Sequence, residues 1–333
     1  MSKLQACGWY RRSGWRFVLW PLAALFGIIT AIRRVAYRWG FLRVRHPGAP
    51  VIVVGNISVG GTGKSPLVIA LAKCLCEAGF RPGIVSRGYR GQADHWPQSV
   101  AADSDVRLVG DEPVMIAHRA QCPVVVGPDR VAAVERLLAG HPECDLIISD
   151  DGLQHYRLGR DIEIAVIDGV RRYGNGLLLP AGPLREPVAR LEDVDFVVVN
   201  GGDAGPGEYA MTLRPLRWCA VGDPARIMDL SAFNGTDAHA LAAIGHPERF
   251  FSTLTQLGIH FDTRIFPDHH PLRAIDLDFQ DEQAVLMTEK DAVKCGEIAP
   301  SNAWYLEIEA VIDEDLLDSL LLRLPGTHVS TPL

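Results

Sequence analysis

The chain has 333 residues, 48% of them hydrophobic and 22% charged, with a formal net charge of −7. That length and apolar content suit two α/β domains or one large one and exclude an intrinsically disordered chain. Its seven cysteines are scattered without a C-x-x-C pair, which excludes a disulfide framework and a cysteine-built zinc site and fits a reducing, cytosolic setting.

Charge is unevenly placed along the chain. Residues 1–50 hold nine Lys or Arg (Lys3, Arg11, Arg12, Arg16, Arg33, Arg34, Arg38, Arg43 and Arg45) and no Asp or Glu, so the leader carries +9 and the remainder −16. Such a leader seeks an anionic surface. Within it, Phe17 to Ile32 are sixteen residues without a charge, fringed by Trp9, Tyr10, Trp15, Tyr37 and Trp39. A spanning helix needs about 20 residues, and Pro21 falls inside the stretch. No small-residue cleavage site precedes the globular part, which argues against a removed signal peptide. The pattern describes a helix lying in, or dipping into, the cytoplasmic leaflet. A core helix hiding its apolar face and a true membrane span are the alternatives.

The rest of the chain is organised around Val51 to Pro66, VIVVGNISVGGTGKSP. The β-branched run Val51–Val54 reads as a buried parallel strand, and the apolar spacing after Pro66 as a helix packed on a sheet. Between them a glycine-rich turn ends in Gly63-Lys64-Ser65. Strand, turn and helix make a phosphate-binding loop: Ser58, Val59, Gly60, Gly61, Thr62 and Gly63 supply the cradle, Lys64 reaches the β/γ-phosphates, and the Ser65 hydroxyl can ligate Mg²⁺. The strict pattern asks for glycine at 58, where Ser58 stands. Pro66 fits the first helical turn.

From 51 to about 200 strands alternate with helices. Strands are expected at 51–54, 83–86, 123–126, 145–149, 162–167 and 195–199, and helices at 66–79, 111–120 and 129–139. This alternation specifies a mostly parallel sheet covered on both faces, with ligands at the carboxyl ends of its strands. Each polar cluster of interest succeeds a strand: the phosphate loop, Ser86-Arg87-Gly88-Tyr89, Gly127-Pro128-Asp129-Arg130 and Asp150-Asp151-Gly152-Leu153-Gln154-His155.

Asp150 and Asp151 stand where a nucleotide hydrolase or kinase keeps the acid that holds Mg²⁺; a carboxylate pair capping the turn at Gly152 is the alternative. His155 can orient phosphate, ligate, or close the turn. In Gly110-Asp111-Glu112-Pro113 the acids either cap a helix or offer a base for a substrate hydroxyl and a partner for a cation. Arg87, Arg130 and Arg185 are candidate anion clamps or surface charges. Gly174-Asn175-Gly176 and Leu179 to Pro187 form a stiff loop presenting Arg185 and Glu186.

Beyond about 212 the texture resets. Strands are expected in 207–216, 240–245, 260–267, 284–289 and 304–312, with helices near 247–257, 272–276, 290–297 and 313–324. The division is a leader over 1–45, a phosphate-loop domain over 46–212 and a smaller α/β domain over 213–333. A cleft between the two domains can close on substrate and expel water.

Taken together, GNISVGGTGKSP, SRGYRG, GDEP, GPDR, SDDGLQH, LPAGPLREP, FPDHH and MTEKDAVK, in that order behind the basic apolar leader, resemble the tetraacyldisaccharide 4'-kinases of lipid A biosynthesis. The resemblance covers nearly the whole chain. It accounts for Ser58, because that family's loop has the form GN-x-x-x-GGTGK. The family usually has threonine where Ser65 stands, and often asparagine where His246 stands, so no catalytic role is drawn for His246. The resemblance implies phosphoryl transfer from ATP to the 4'-hydroxyl of a tetraacylated glucosamine disaccharide 1-phosphate, at the cytoplasmic face of the bacterial inner membrane. Its partners are then the lipid disaccharide and the anionic inner-membrane surface, with no nucleic acid and no obligate protein partner. Carried over, Ser58 to Ser65 hold the triphosphate, and Ser65, Asp150 and Asp151 hold Mg²⁺. Asp111 is the implied base, with His269 orienting it or raising its basicity. Glu112, Arg130, Gln154, His155, Arg185 and Glu186 fall in the same site.

Overall fold

The computed structural model describes Trp9 and residues 16–324. Of the basic and aromatic leader, Lys3, Tyr10, Arg11, Arg12 and Trp15 lie outside the described residues. Helix α1 (Arg16–Arg38) is 23 residues long and continuous through Pro21. Its stretch Val18–Arg38 is long and apolar enough to cross a membrane. The core-helix alternative fails: Val18 is 77% exposed, Trp20 62% and Ile32 63%, and Leu25, Ile28 and Ile29 stand out in the same way.

The first half of the chain builds β1 (Val51–Gly55), α2 (Lys64–Glu77), β2 (Pro82–Ser86), β3 (Gln98–Val100), α3 (Val106–Val109), α4 (Asp111–Ala120), β4 (Val124–Val126), α5 (Arg130–Gly140), β5 (Leu146–Asp150), β6 (Ile162–Asp168) and β7 (Phe196–Asn200). Neither β3 nor α3 is expected from the sequence. Strand β1 lies between β5 and β6, with β2 and β4 beyond β5, all parallel, so their carboxyl ends share one edge. β3 closes this end antiparallel to β4. The continuous apolar run of β1 is explained by its place: every residue from Val51 to Val54 is fully buried beneath helices on both faces.

Strand β8 (Glu208–Ala220) then carries the sheet onward. Its first residues pair parallel with β7, and from Met211 on it pairs antiparallel with β13 (Ala303–Ile312). The expected division at 212/213 therefore falls inside a strand. Past it lie β9 (Ile227–Met228), β10 (Asp237–Ala242), α6 (Pro247–Gln256), β11 (His260–Ile265), α7 (Ala274–Leu277), β12 (Ala284–Thr288), α8 (Glu289–Cys295) and, after β13, α9 (Glu314–Arg323). β10 sits three residues earlier than expected, which frees Ala243 to Gly245 to lead into His246. One sheet runs β11-β10-β12-β13-β8-β7-β6-β1-β5-β2-β4-β3, with β9 on β8. The apolar residues form cores on the faces of each half, and α9 returns to the first: Leu316 and Leu320 pack with Leu67, Leu71 and Val114.

Candidate active site

Backbone constraint shapes the phosphate loop. Gly63 has φ 93°, and a Cβ there would meet the Asn200 side chain at 2.4 Å, so only glycine fits the turn into α2. The loop's carbonyls are held from outside: Asn200 Nδ2 donates to Thr62 O (3.0 Å) and Arg171 Nη2 to Gly61 O (2.6 Å), while Asn56 Nδ2 bonds the Thr62 hydroxyl (3.3 Å). The 183–185 segment pins the other side, with Val59 N donating to Pro183 O and Arg185 N to Ile57 O. Among the described residues no backbone acceptor takes the amides of Gly61, Gly63, Lys64 or Ser65. Open amides at a helix N-terminus, held by carbonyls tied elsewhere, are an anion cradle.

Two carboxylates stand at the end of β5 beside this cradle. Asp151, left-handed at φ 49°, takes Lys64 Nζ at 3.4 Å and Arg185 Nη1 at 3.2 Å. Burial would raise its carboxyl, but the Lys64 and Arg185 charges hold it well below the usual carboxylate range. Asp150 is placed differently. Its Oδ2 accepts from Ser86 Oγ at 3.2 Å, whereas its buried Oδ1 has no partner. Burial pushes Asp150 up to about 7, with Glu112 and Asp151 adding and Lys64 and Arg130 opposing. Such an orphaned carboxylate oxygen, next in sequence to Asp151, fits a hard divalent cation, which takes one or two protein carboxylates and leaves its other positions to phosphate and water.

The sequence-picked residues around these acids divide in two. Arg185 also donates to Gln154 Oε1, and Gln154 Nε2 bonds Asn56 O (3.0 Å) and Glu186 Oε2 (2.9 Å), so Arg185, Gln154 and Glu186 form one chain at the cradle's rim. Glu186 also accepts from the Tyr156 hydroxyl. Arg130 instead lies 2% exposed behind Asp150, its guanidinium donating to the Gly127 and Asp150 carbonyls, and it acts on the site as a buried charge. His155 is half-buried and beside Arg130. Burial and that charge lower it to about 4, so it is neutral at pH 7. Arg87 is exposed.

The second acidic pair opens α4. Gly110 (φ 93°) is the N-cap and Asp111 the first helical residue, so the capping alternative for Asp111 does not hold. His269, itself left-handed at φ 62°, comes from the loop after β11 and brings Nδ1 to 2.8 Å from Asp111 Oδ2. Lys290 and Lys294 of α8 approach the same oxygen at 3.9 Å each. Burial would raise the Asp111 carboxyl, but the His269 hydrogen bond and the two lysines bring it down to about 2. The Tyr89 ring meets the His269 imidazole edge-on. Both halves of the chain therefore supply this cluster, and Glu112 lies close enough to Asp150 for its charge to act there.

Sequence reasoning misses two groups. Lys290 and Lys294 stand in MTEKDAVK with one-turn spacing, but nothing local shows where they point. The other surrounds the phosphate loop: Arg171 contacts Asp168 and His246, and Arg249 of α6 reaches Asp168 at 2.6 Å. Asp168 ends β6 as Asp150 ends β5, which is the signal that could have found it.

Comparison with known proteins identifies one family. Residues 15–325 match the family model described as tetraacyldisaccharide-1-P 4'-kinase. The chain is 52% identical to the tetraacyldisaccharide 4'-kinase of Aeromonas hydrophila, over 95% of this chain and 94% of that one. It is likewise 52% identical to that of Alkalilimnicola ehrlichii, over 99% of both. Its structure superposes with a TM-score of 0.78 on the crystal structure of LpxK from Aquifex aeolicus in complex with ATP, at 27% identity and covering 92% of this chain and 98% of that one.

Proposed function

Because the chain belongs to the tetraacyldisaccharide-1-P 4'-kinase family, and is thereby an ATP-dependent lipid A 4'-kinase, we propose how its own residues perform the transfer. The acceptor is the 4'-hydroxyl of a tetraacylated glucosamine disaccharide 1-phosphate. The cradle of Ser58 to Ser65 receives the triphosphate, with Lys64 on the β/γ-phosphates. Ser65, Asp150 and Asp151 would hold Mg²⁺, which supplies charge neutralisation on the transferred phosphoryl group. Arg185, fixed by Asp151 and Gln154, faces the same charge, and Gln154, His155 and Arg130 complete the acceptor side. Asp111 takes the acceptor proton and His269 fixes its orientation. A carboxylate held down to about 2 is a weak base. It suffices here because a loose phosphoryl-transfer transition state releases the nucleophile's proton late.

Two halves, 46–212 and 213–333, meet over this crevice, and their closure excludes the water that would otherwise take the phosphoryl group. The exposed apolar side of α1, together with Arg33, Arg34 and Arg38 at its end, seats the enzyme on the anionic cytoplasmic face of the inner membrane.

The single observation that carries this reading is the 2.8 Å Asp111–His269 pair, built from both halves, whose neighbour Glu112 acts by its charge on Asp150 beside the phosphate loop. The test is ATP turnover with and without the lipid disaccharide. Turnover should depend on the acceptor and fall on the order of 10²–10³-fold in Lys64→Ala, the scale of one lost electrostatic contact in the transition state. Equal turnover without the acceptor would overturn the kinase assignment. For the membrane seat, a chain lacking residues 1–40 should no longer sediment with anionic vesicles; unchanged sedimentation would remove α1 from that role.

A further inference from the structure

Helix α8 begins with two residues whose side chains grip opposite ends of α4. Glu289 Oε2 lies 2.8 Å from Arg119 Nη1, near the end of α4, in a pair that is almost fully buried. Lys290 Nζ lies 2.9 Å from Glu112 Oε1 and 3.9 Å from Asp111 Oδ2, at its start. Glu112 and Arg119 are seven residues apart, about 10 Å along a helix, yet both partners are neighbours in sequence. The second half therefore holds the helix of the proposed base at two points.

The two lysines of α8 differ in what else they do. Lys294 is sunk beneath Asp111 and engaged by Asp291 (2.8 Å) and the Ala243 carbonyl (2.9 Å), so it belongs to the fold of its own half. Among the described residues Lys290 reaches three acids: Asp111 and Glu112 across the interface, and Asp268, at 3.9 Å, in the loop that carries His269. Burial would lower its ammonium pKa, but those three carboxylates push it up, so it stays charged.

We propose that Lys290 is the positioning residue of this active site: its ammonium fixes Asp111 and Glu112 at one spacing from the His269 loop, and Glu289 on Arg119 fixes α4 along its axis. Acting through Asp111, it serves the chemical step rather than nucleotide binding. This assignment rests on Asp111 being the proton acceptor of a kinase.

The test compares Lys290→Met, Lys290→Arg, Glu112→Gln and the Met/Gln double variant with the whole enzyme, using ATP and the lipid disaccharide. Lys290→Met should lower kcat about 10²-fold, the scale of an ångström-sized misplacement of a reacting group, and leave the KM for ATP within about twofold. Lys290→Arg should recover kcat to within about tenfold. The double variant should be no slower than the slower single one, since the pair acts as a unit. If Lys290→Met does not fold, Lys290→Gln takes its place. A loss in KM alone, an unchanged kcat, or losses that multiply in the double variant would overturn the proposal. Wild-type turnover independent of the acceptor would instead sink the kinase reading beneath it, and the two failures are told apart in the same assay.

Discussion

Two buried aspartates, one ending β5 and one opening α4, show how placement divides labour between identical side chains. Asp150 has one hydroxyl partner and an oxygen with none, and burial drives it up to about 7. Asp111 has an imidazole and two ammonium groups around it and is brought down to about 2. The first is uncomfortable as an anion until a cation arrives; the second is an anion already. Carboxyls pushed apart in this way suit the two roles proposed for them, a metal ligand in Asp150 and a proton acceptor in Asp111.

The largest effect should come from attacking the ready anion. Asp111→Asn is expected to lower kcat about 10²–10⁴-fold, the usual range for a positioned acid or base, with nucleotide affinity intact. His269→Ala should lose less, and the double variant no more than Asp111→Asn. Independent, multiplying losses would separate the two residues. Asp150→Asn attacks the waiting anion. It should raise the Mg²⁺ concentration needed for half-maximal rate at least tenfold, read from a magnesium titration at saturating ATP; an unmoved titration would strip Asp150 of its metal role.

A third prediction concerns stability. The folded Asp111 carboxyl titrates near 2 against 3.8 when unperturbed, so its ionised form stabilises the fold by about 2 kcal/mol above pH 4, an amount lost as pH falls toward 2. Urea denaturation of wild type should therefore exceed that of Asp111→Asn at pH 6, with the gap narrowing toward pH 2; a constant gap would mean that its ionisation contributes nothing. The smallest effect is expected for Ser65→Thr. The hydroxyl is kept and one methyl is added at a position 8% exposed, so kcat should change less than about threefold, while Ser65→Ala should raise the Mg²⁺ concentration needed for half-maximal rate, as Asp150→Asn does.

What is readable in the sequence is what is local. The run Val51–Val54, the glycines before Lys64 and the acids after β5 carry their structure within a few residues, and the strands bearing them form where expected. The segment 98–109 escapes such reading because β3 is three residues long and exists only by pairing with β4. The Asp111–His269 juxtaposition comes from the resemblance and not from spacing, since 158 residues separate them. Lys290 is invisible as a partner of Glu112 for the same reason, and the return of α9 to the first core needs the whole sheet to be in place. Pairing across such distances leaves no periodicity in the chain, only in the folded contacts.

Helix α1 does not float apart from the catalytic loop. A Cβ on Gly27 would press on Leu178 at 2.7 Å and Tyr37 packs on the Tyr156 ring, and Trp9, ahead of the helix in sequence, donates from Nε1 to Pro180 O. Leu178 and Pro180 lie in the strap that ends in Arg185 and Glu186. With α1 seated on a bilayer as proposed, these contacts would act as a depth gauge, setting the height of the crevice above the acyl chains so that a sugar hydroxyl at headgroup level would arrive in register.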